Sequence, residues 1–109
     1  MKSYETMART PVHPGEILKD ELAEMGVNAA QLARYIKVPN NRLYQILDGR
    51  RAITADTALR LGKWFGMSAA FWLNLQNSYE LRMAEKAIGK ETQAIPTRNR
   101  DELRKVSPE

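Results

Sequence analysis

Two short helical patterns joined by a tight turn, in the first half of the chain, constrain its fold most strongly. Asn28 followed by Gln31 forms a capping-box pattern, which predicts the start of a helix. Pro39 interrupts this pattern, because the residue before a proline avoids the α region and the proline cannot continue a hydrogen-bonded helix. Gly49 then ends a second pattern, as glycine commonly does at helix C-termini. The two predicted helices span residues 29–36 and 40–48.

The rest of the chain also carries residues that typically begin or end helices. Pro14 fits a first helical turn, Gly26 a helix end, and Thr54 and Ser68 are good N-cap residues. Apolar residues recur between these positions at helical spacing, and no segment shows the alternation of a strand. The further predicted helices cover residues 14–25, residues 55–65, and a segment from the Ser68 cap to about residue 87. We therefore predict an all-α fold of five helices.

The chain of 109 residues is long enough for one hydrophobic core and too short for two ordinary domains. Residues 88–109 contain two prolines, few large apolar side chains and alternating charge, which favour a tail. A short helix around residues 100–106 stays open as an alternative there. We predict an N-terminal arm over residues 1–12, a folded domain over residues 13–87 and a C-terminal tail over residues 88–109.

Composition excludes several kinds of chemistry. The sequence has no cysteine, which removes disulfides and thiolate metal sites, and no apolar run approaches the roughly 20 residues that span a bilayer. Its start lacks the apolar stretch of a signal peptide, so we expect a cytoplasmic protein. His13 is the sole histidine, and we predict that it caps or packs rather than binding a metal or catalysing a reaction. We expect no catalytic residues, no metal and no cofactor.

The two predicted short helices have the composition of a helix-turn-helix. Ala33 is small, as is needed where the second helix crosses the first closely. Lys37 stands at the turn position where glycine would adopt a left-handed backbone more cheaply, by roughly 1 kcal/mol. Apolar residues form the joint between the helices: Leu32, Ile36, Val38, Leu43 and Ile46.

Charge is segregated along the chain in the way that a nucleic-acid surface needs. Residues 15–25 carry four carboxylates against one lysine, a balance of −3, whereas residues 30–64 carry seven basic residues against two aspartates, a balance of +5. Phosphate neutralisation by such a basic segment supplies affinity for DNA that does not depend on sequence. A merely solvated basic surface is the alternative for the second segment. For the acidic face of residues 16, 20 and 24 we expect solvation, with a bound cation or a basic partner protein as alternatives.

The predicted second helix of this motif exposes amide, guanidinium and phenol groups. Asn and Gln can make bidentate hydrogen bonds to adenine, and Arg to guanine, in the major groove of DNA. An ordinary polar helix surface, the alternative, usually favours Glu and Lys. We predict that the base-reading residues are Asn40, Asn41, Arg42, Tyr44 and Gln45.

Phosphate contacts are expected from the residues that flank this helix. The expected set is Gln31, Arg34, Lys37, Arg50, Arg51 and Thr54. For Thr54, a role as a plain helix cap is an equal alternative.

The last predicted helix carries two apolar stripes, although packing on one small domain needs a single stripe. The second stripe therefore indicates a dimer interface; one wide stripe buried within a monomer is the alternative. A dimer would place two recognition helices about 34 Å apart, one turn of B-DNA. The predicted interface residues are Trp72, Leu73, Leu75, Tyr79, Leu81 and Met83.

With these residues assembled, the sequence resembles the Xre/Cro helix-turn-helix superfamily and, more narrowly, the HigA/VapI antitoxins of type II toxin–antitoxin modules. The resemblance covers about residues 11–85. The stretches that carry it are residues 13–18 (HPGEIL), the helix-turn-helix itself, residues 42–54 and residues 71–76 (FWLNLQ). The last block is the most specific, because generic Xre repressors generally lack it.

The resemblance implies a lambda-repressor-like domain that forms a homodimer and binds its own operator DNA as an autorepressor. It further implies a protein partner, a RelE-like ribonuclease toxin of the HigB type, which the antitoxin neutralises. A stand-alone repressor without a toxin is the first alternative, and an interaction adaptor that no longer binds DNA is the second. An enzyme is not expected.

Overall fold

The computed structural model describes residues 11–99. Its five helices are α1 (Pro14–Met25), α2 (Ala29–Ile36), α3 (Asn40–Leu47), α4 (Ala55–Phe65) and α5 (Ala69–Gln93). No strand occurs in this part of the chain, so the predicted all-α class is confirmed. The helix considered for residues 100–106, and residues 1–10 of the predicted arm, lie outside the described residues.

The caps that the sequence predicts form at both ends of α2. Asn28 accepts a hydrogen bond from the Gln31 backbone N–H at 2.8 Å, and Gln31 Oε1 accepts from the Asn28 N–H at 2.9 Å. Lys37 ends the helix in the left-handed conformation, with φ 62° and ψ 52°. This lysine therefore adopts the backbone that glycine would adopt with less strain.

α5 is longer than predicted. It continues to Gln93 instead of ending near residue 87, and a kink at Ile88 (φ −130°, ψ 18°) marks the predicted end. Gly89 does not act as a left-handed cap, because its φ is not positive, and a glycine inside a helix costs only about 1 kcal/mol relative to alanine. Thr92 Oγ1 donates to the Gly89 carbonyl at 2.8 Å and stabilises this extra turn.

One hydrophobic core lies where the helices meet. α5 packs mainly against α4 and also contacts α1, while α3 lies against both α1 and α2. Trp72 from α5 is among the most deeply buried large side chains, and its ring contacts those of Phe65 and Phe71 at centroid distances of 5.5 and 5.1 Å. The buried apolar residues are Ile17, Leu18, Leu22, Leu32, Ala33, Ile36, Val38, Leu43, Ile46, Ile53, Ala58, Leu61 and Trp72.

Glycine permits two close contacts between backbones. A Cβ atom at Gly15, in the first turn of α1, would overlap the backbone carbonyl of Ile46 near the end of α3. A Cβ atom at Gly62 would lie 2.6 Å from the Met67 carbonyl, which precedes α5. Because backbone cannot yield as a flexible side chain does, both positions exclude larger residues and fix how α1 and α5 approach their neighbours.

His13 is the N-cap of α1, and its predicted capping role is confirmed. Its Nδ1 accepts a hydrogen bond from the Gly15 backbone N–H at 2.9 Å, and its ring meets the edge of the Tyr79 ring at a centroid distance of 5.0 Å. Burial lowers the pKa of His13 below its ordinary value of 6.5. A hydrogen bond with the backbone of Arg51 and the nearby carboxylates of Glu16 and Glu80 oppose this shift without reversing it.

We expect the free energy of unfolding to fall when the pH drops below about 6.5. The unfolded chain protonates its histidine at that ordinary value, whereas the folded chain holds His13 neutral to a lower pH. The unfolded state therefore binds more protons in this window, and the stability present above it is lost as the pH falls toward the folded pKa. Urea unfolding at pH 7.5 and 5.5 measures the effect. His13→Asn keeps an N-cap acceptor but cannot titrate, so an equally large acid loss in this variant would contradict the assignment.

Candidate nucleic-acid interface

α3 presents a polar face away from the core. Leu43 and Ile46 are fully buried on its inner side, and the helical period then directs Asn40, Asn41 and Tyr44 outward, where all three are exposed. Three of the five predicted base-reading residues therefore lie together on an accessible surface. This face carries amide and phenol groups and no carboxylate.

Arg42 lies elsewhere, although the sequence predicted it as a base-reading residue. Its side chain is half-buried, and Nη1 donates to Asp56 Oδ1 at 2.8 Å, which joins α3 to the first turn of α4. A carboxylate is favoured at that position because the helix N-terminus carries partial positive charge. The structure therefore places Arg42 in a contact between helices rather than on the exposed face.

Asp56 and Arg60 together connect α2, α3 and α4. Asp56 also accepts from Arg60 Nε at 2.8 Å, and Arg60 Nη1 donates to the backbone carbonyls of Ile36 and Lys37 at 2.9 and 3.2 Å. These carbonyls lie at the end of α2, where no helical N–H remains to bond them. The hydrogen bonds from Arg60 and then Arg42 lower the pKa of the Asp56 carboxyl. The ion pairs thus hold the turn of the motif against α4.

Gln45 is half-buried and has a partner from the loop that follows α3. Arg51 Nη1 donates to Gln45 Oε1 at 3.0 Å. This bond occupies the amide oxygen of Gln45. It also brings Arg51, a predicted phosphate contact, to the edge of the polar face of α3.

The loop of residues 48–54 carries three of the predicted phosphate contacts. Arg50 pairs with Asp48 at 3.0 Å, and both side chains are more than half exposed, so water weakens this ion pair. Thr54 precedes α4 without making a side-chain capping hydrogen bond. Its hydroxyl is therefore not committed to the cap that the sequence offered as an alternative.

The three predicted contacts on α2 have different surroundings. Gln31 uses its carbonyl oxygen in the capping box, and Arg34 is exposed on the outer side of the helix. Lys37 instead lines an open groove of about 500 Å³ between α2 and α4, together with Leu59 and Lys63. Lys37 thus lies in the groove between α2 and α4, whereas Arg50 and Arg51 lie on the loop after α3.

The predicted dimer residues on α5 divide into three groups. Trp72 is 1% exposed and belongs to the protomer's own core, so it offers no surface to a second chain. Leu73 and Leu75 are partly buried against that core, and Tyr79 is half-buried against the His13 ring. Leu81 and Met83, at 65% and 44% exposed, remain accessible.

Sequence reasoning missed one polar residue of this region. Gln76 is buried in α5, where its Oε1 accepts from the Ile53 backbone N–H at 2.8 Å and its Nε2 donates to Glu80 Oε2 at 2.9 Å. The clue in the sequence is an amide at a core-facing position of an apolar stripe, because a buried amide needs hydrogen-bond partners. The pattern could not identify a partner more than 20 residues away.

Residues 11–99 contain neither a metal-binding cluster nor a membrane-spanning helix. Their histidine, aspartate and glutamate side chains form no group of three that could hold a metal ion. No helix in this range combines the length and the apolar character needed to cross a membrane.

No protein-family model matches the chain, but individual proteins do. Virulence-associated protein I of Dichelobacter nodosus is 50% identical over 76 residues, which cover 69% of this chain and 70% of that protein. A HigA-family addiction module antidote protein of Coxiella burnetii has a structure similar to this one, with a TM-score of 0.79, 50% identity, and coverage of 82% of this chain and 98% of that one.

The antitoxin HigA of Pseudomonas aeruginosa, whose structure was solved with the higBA promoter, is similar over 79% of this chain and 96% of its own length. The TM-score is 0.76 and the identity 46%. Identity at this level over most of both chains exceeds a likeness of fold alone. The chain belongs to the HigA family of Xre-type helix-turn-helix antitoxins.

Proposed function

We propose that this chain is the antitoxin of a type II toxin–antitoxin module and acts in the cytoplasm as a homodimer. In this proposal it binds the operator of its own genes as a repressor and neutralises a RelE-like ribonuclease toxin of the HigB type. Each part has different support. The exposed face of α3 supports DNA binding, the end of α5 supports the dimer, and the family relationship supports the toxin.

The observation that carries the proposal is the exposed pair Asn40 and Asn41 at the first turn of α3. Asparagine can donate to and accept from adenine at once in the major groove, where the N-terminal residues of a recognition helix read bases. Tyr44 lies one turn further along the same face, and Gln45 adds an amide at its edge. Arg42 stabilises the position of α3 through Asp56 in this proposal, and does not read bases.

Phosphate binding follows from the basic groups around this face. Arg50 and Arg51 flank it on the loop side, Thr54 offers its hydroxyl, and Arg34 is accessible on α2. Contacts of this kind fix the register of a protein on DNA, while the base contacts select the sequence. The similarity to HigA of P. aeruginosa, solved with promoter DNA, favours this mode of binding over the adaptor alternative.

Asn41→Ala is expected to weaken binding to the DNA upstream of the gene by about 1–3 kcal/mol, the value of a bidentate base contact. Gln93→Ala is the matched control, because Gln93 is also an exposed amide, at the far end of α5. Titration of labelled duplex followed by fluorescence anisotropy measures both variants. Equal affinities of Asn41→Ala and the wild type would remove the α3 face from the base-reading surface.

The dimer proposal rests on the part of α5 that no core residue covers. Leu81 and Ile88 are exposed and lie seven residues apart, so that, apart from the kink, they share one face with Ala84 between them. Met83 is exposed on another side. An apolar face of this length on a helix otherwise rich in charge favours a second protein surface.

Leu81→Glu is expected to convert the dimer into a monomer without unfolding it, because Leu81 makes little contact with its own core. Leu59→Glu on α4 is a closely matched control, since Leu59 has the same exposed fraction, 65%. Multi-angle light scattering at micromolar concentration gives the masses. A wild-type protein of monomer mass, or an unchanged dimer in Leu81→Glu, would refute this interface.

The toxin part of the proposal separates the antitoxin from a stand-alone repressor. Co-expression of the tagged chain with the protein from the adjacent reading frame should give a stable complex and relieve the growth arrest which that protein causes alone. The control is a frameshifted antitoxin gene with the same operator. If no complex forms and the neighbour is harmless, the chain is a repressor without a toxin partner.

A further inference from the structure

Gln76 is the one buried residue of α5 that bonds the backbone of the loop after α3. It is 5% exposed and lies among apolar residues, where an amide is costly unless both its oxygen and its nitrogen are bonded. Both are bonded, the oxygen by the Ile53 N–H and the nitrogen by the Glu80 carboxylate. Glu80 thereby fixes which end of the amide faces Ile53.

The loop held in this way is the one that carries Arg50, Arg51 and Thr54. His13 contacts the start of the same loop, since its Cγ lies 3.8 Å from the position of a Cβ atom at Gly49, and its ring packs on Tyr79 of α5. The side chain of Arg51 in turn bonds Gln45 on α3. A continuous set of hydrogen bonds and ring contacts thus runs from α5, through the loop, to the polar face of α3.

We propose that Gln76 is a positioning residue for DNA binding. By holding the Ile53 N–H, it sets the loop so that Arg50 and Arg51 meet two phosphates beside the base-reading face. This inference rests on the proposed function, because it assumes that the chain binds an operator. It adds to the proposed DNA-binding residues one that would not contact DNA itself. This residue lies on α5, the helix to which we assign the dimer contact.

The geometry distinguishes positioning from ordinary core packing. A packing residue at this place would be apolar, whereas an apolar side chain here would leave the buried Ile53 N–H without an acceptor. The substitution that tests positioning must therefore change the hydrogen bonds and keep the volume. Gln76→Glu does so, because it preserves the shape but replaces the donor to Glu80 with a second negative charge.

The test uses four full-length proteins: the wild type, Gln76→Glu, Glu80→Gln, and the double variant with both changes. The double variant exchanges donor and acceptor, so that residue 80 donates to residue 76 and residue 76 still accepts from Ile53. We expect Gln76→Glu to bind the operator about tenfold more weakly, with a salt slope reduced by about 1 for each of the two phosphate contacts that is lost. We expect the double variant to return to within about twofold of the wild type, with its slope restored.

A second set of variants tests whether Gln76→Glu weakens operator binding by way of Arg50 and Arg51. In an Arg50→Ala/Arg51→Ala background, Gln76→Glu should cause no further loss of affinity, because the contacts that it positions are already gone. Thermal unfolding of every variant is recorded beside the DNA titrations.

Three results would overturn the proposal: an unchanged salt slope in Gln76→Glu, a double variant that regains stability but not affinity, or an undiminished effect of Gln76→Glu without the two arginines. Loss of the proposed function itself would be visible separately. In that case the wild-type protein would bind its upstream DNA no better than an unrelated duplex.

Discussion

The position of α3 depends on the contact between its last turn and the first turn of α1. At Gly15 the backbone of α1 comes so close to the Ile46 carbonyl that a methyl group has no room. His13, two residues earlier, accepts a hydrogen bond from this turn and lies against Gly49 of the loop that follows α3. Because the two helices meet through backbone, the angle of α3 is set by atoms that cannot change rotamer. The position of the polar face of α3 is therefore fixed as well.

Electrostatics supports the same helix from its other side. Asp56 accepts from Arg42 and Arg60, and Arg60 also bonds the carbonyls that end α2. Exposed ion pairs contribute little singly, but this group joins α2, α3 and α4 at one point. The polar residues of α3 therefore differ in their surroundings. Arg42 bonds Asp56 between helices, whereas Asn40, Asn41 and Tyr44 remain exposed.

Local patterns predicted most of the fold because its helix boundaries are set by local chemistry. The Asn28 capping box, Pro39 and Gly49 act within a few residues, and each helix begins or ends where they indicate. What local patterns did not show involves partners distant in sequence. Arg42 bonds Asp56, 14 residues away, and Gln76 bonds Ile53, 23 residues away. Trp72 looked available to a partner because periodicity alone does not show which apolar side the core covers.

The two halves of the long helix α5 make different contacts. Its first half supplies Trp72 to the core and Gln76 to the loop, whereas its second half exposes Leu81 and Ile88. A protein bound to the second half would therefore contact the helix that, in our proposal, positions Arg50 and Arg51. Two sites are coupled when both bias the equilibrium of one structural element, and α5 contacts both sites that we propose. Partner binding and operator affinity in this chain are thus expected to be linked through the backbone of residues 48–54, rather than through the recognition helix itself.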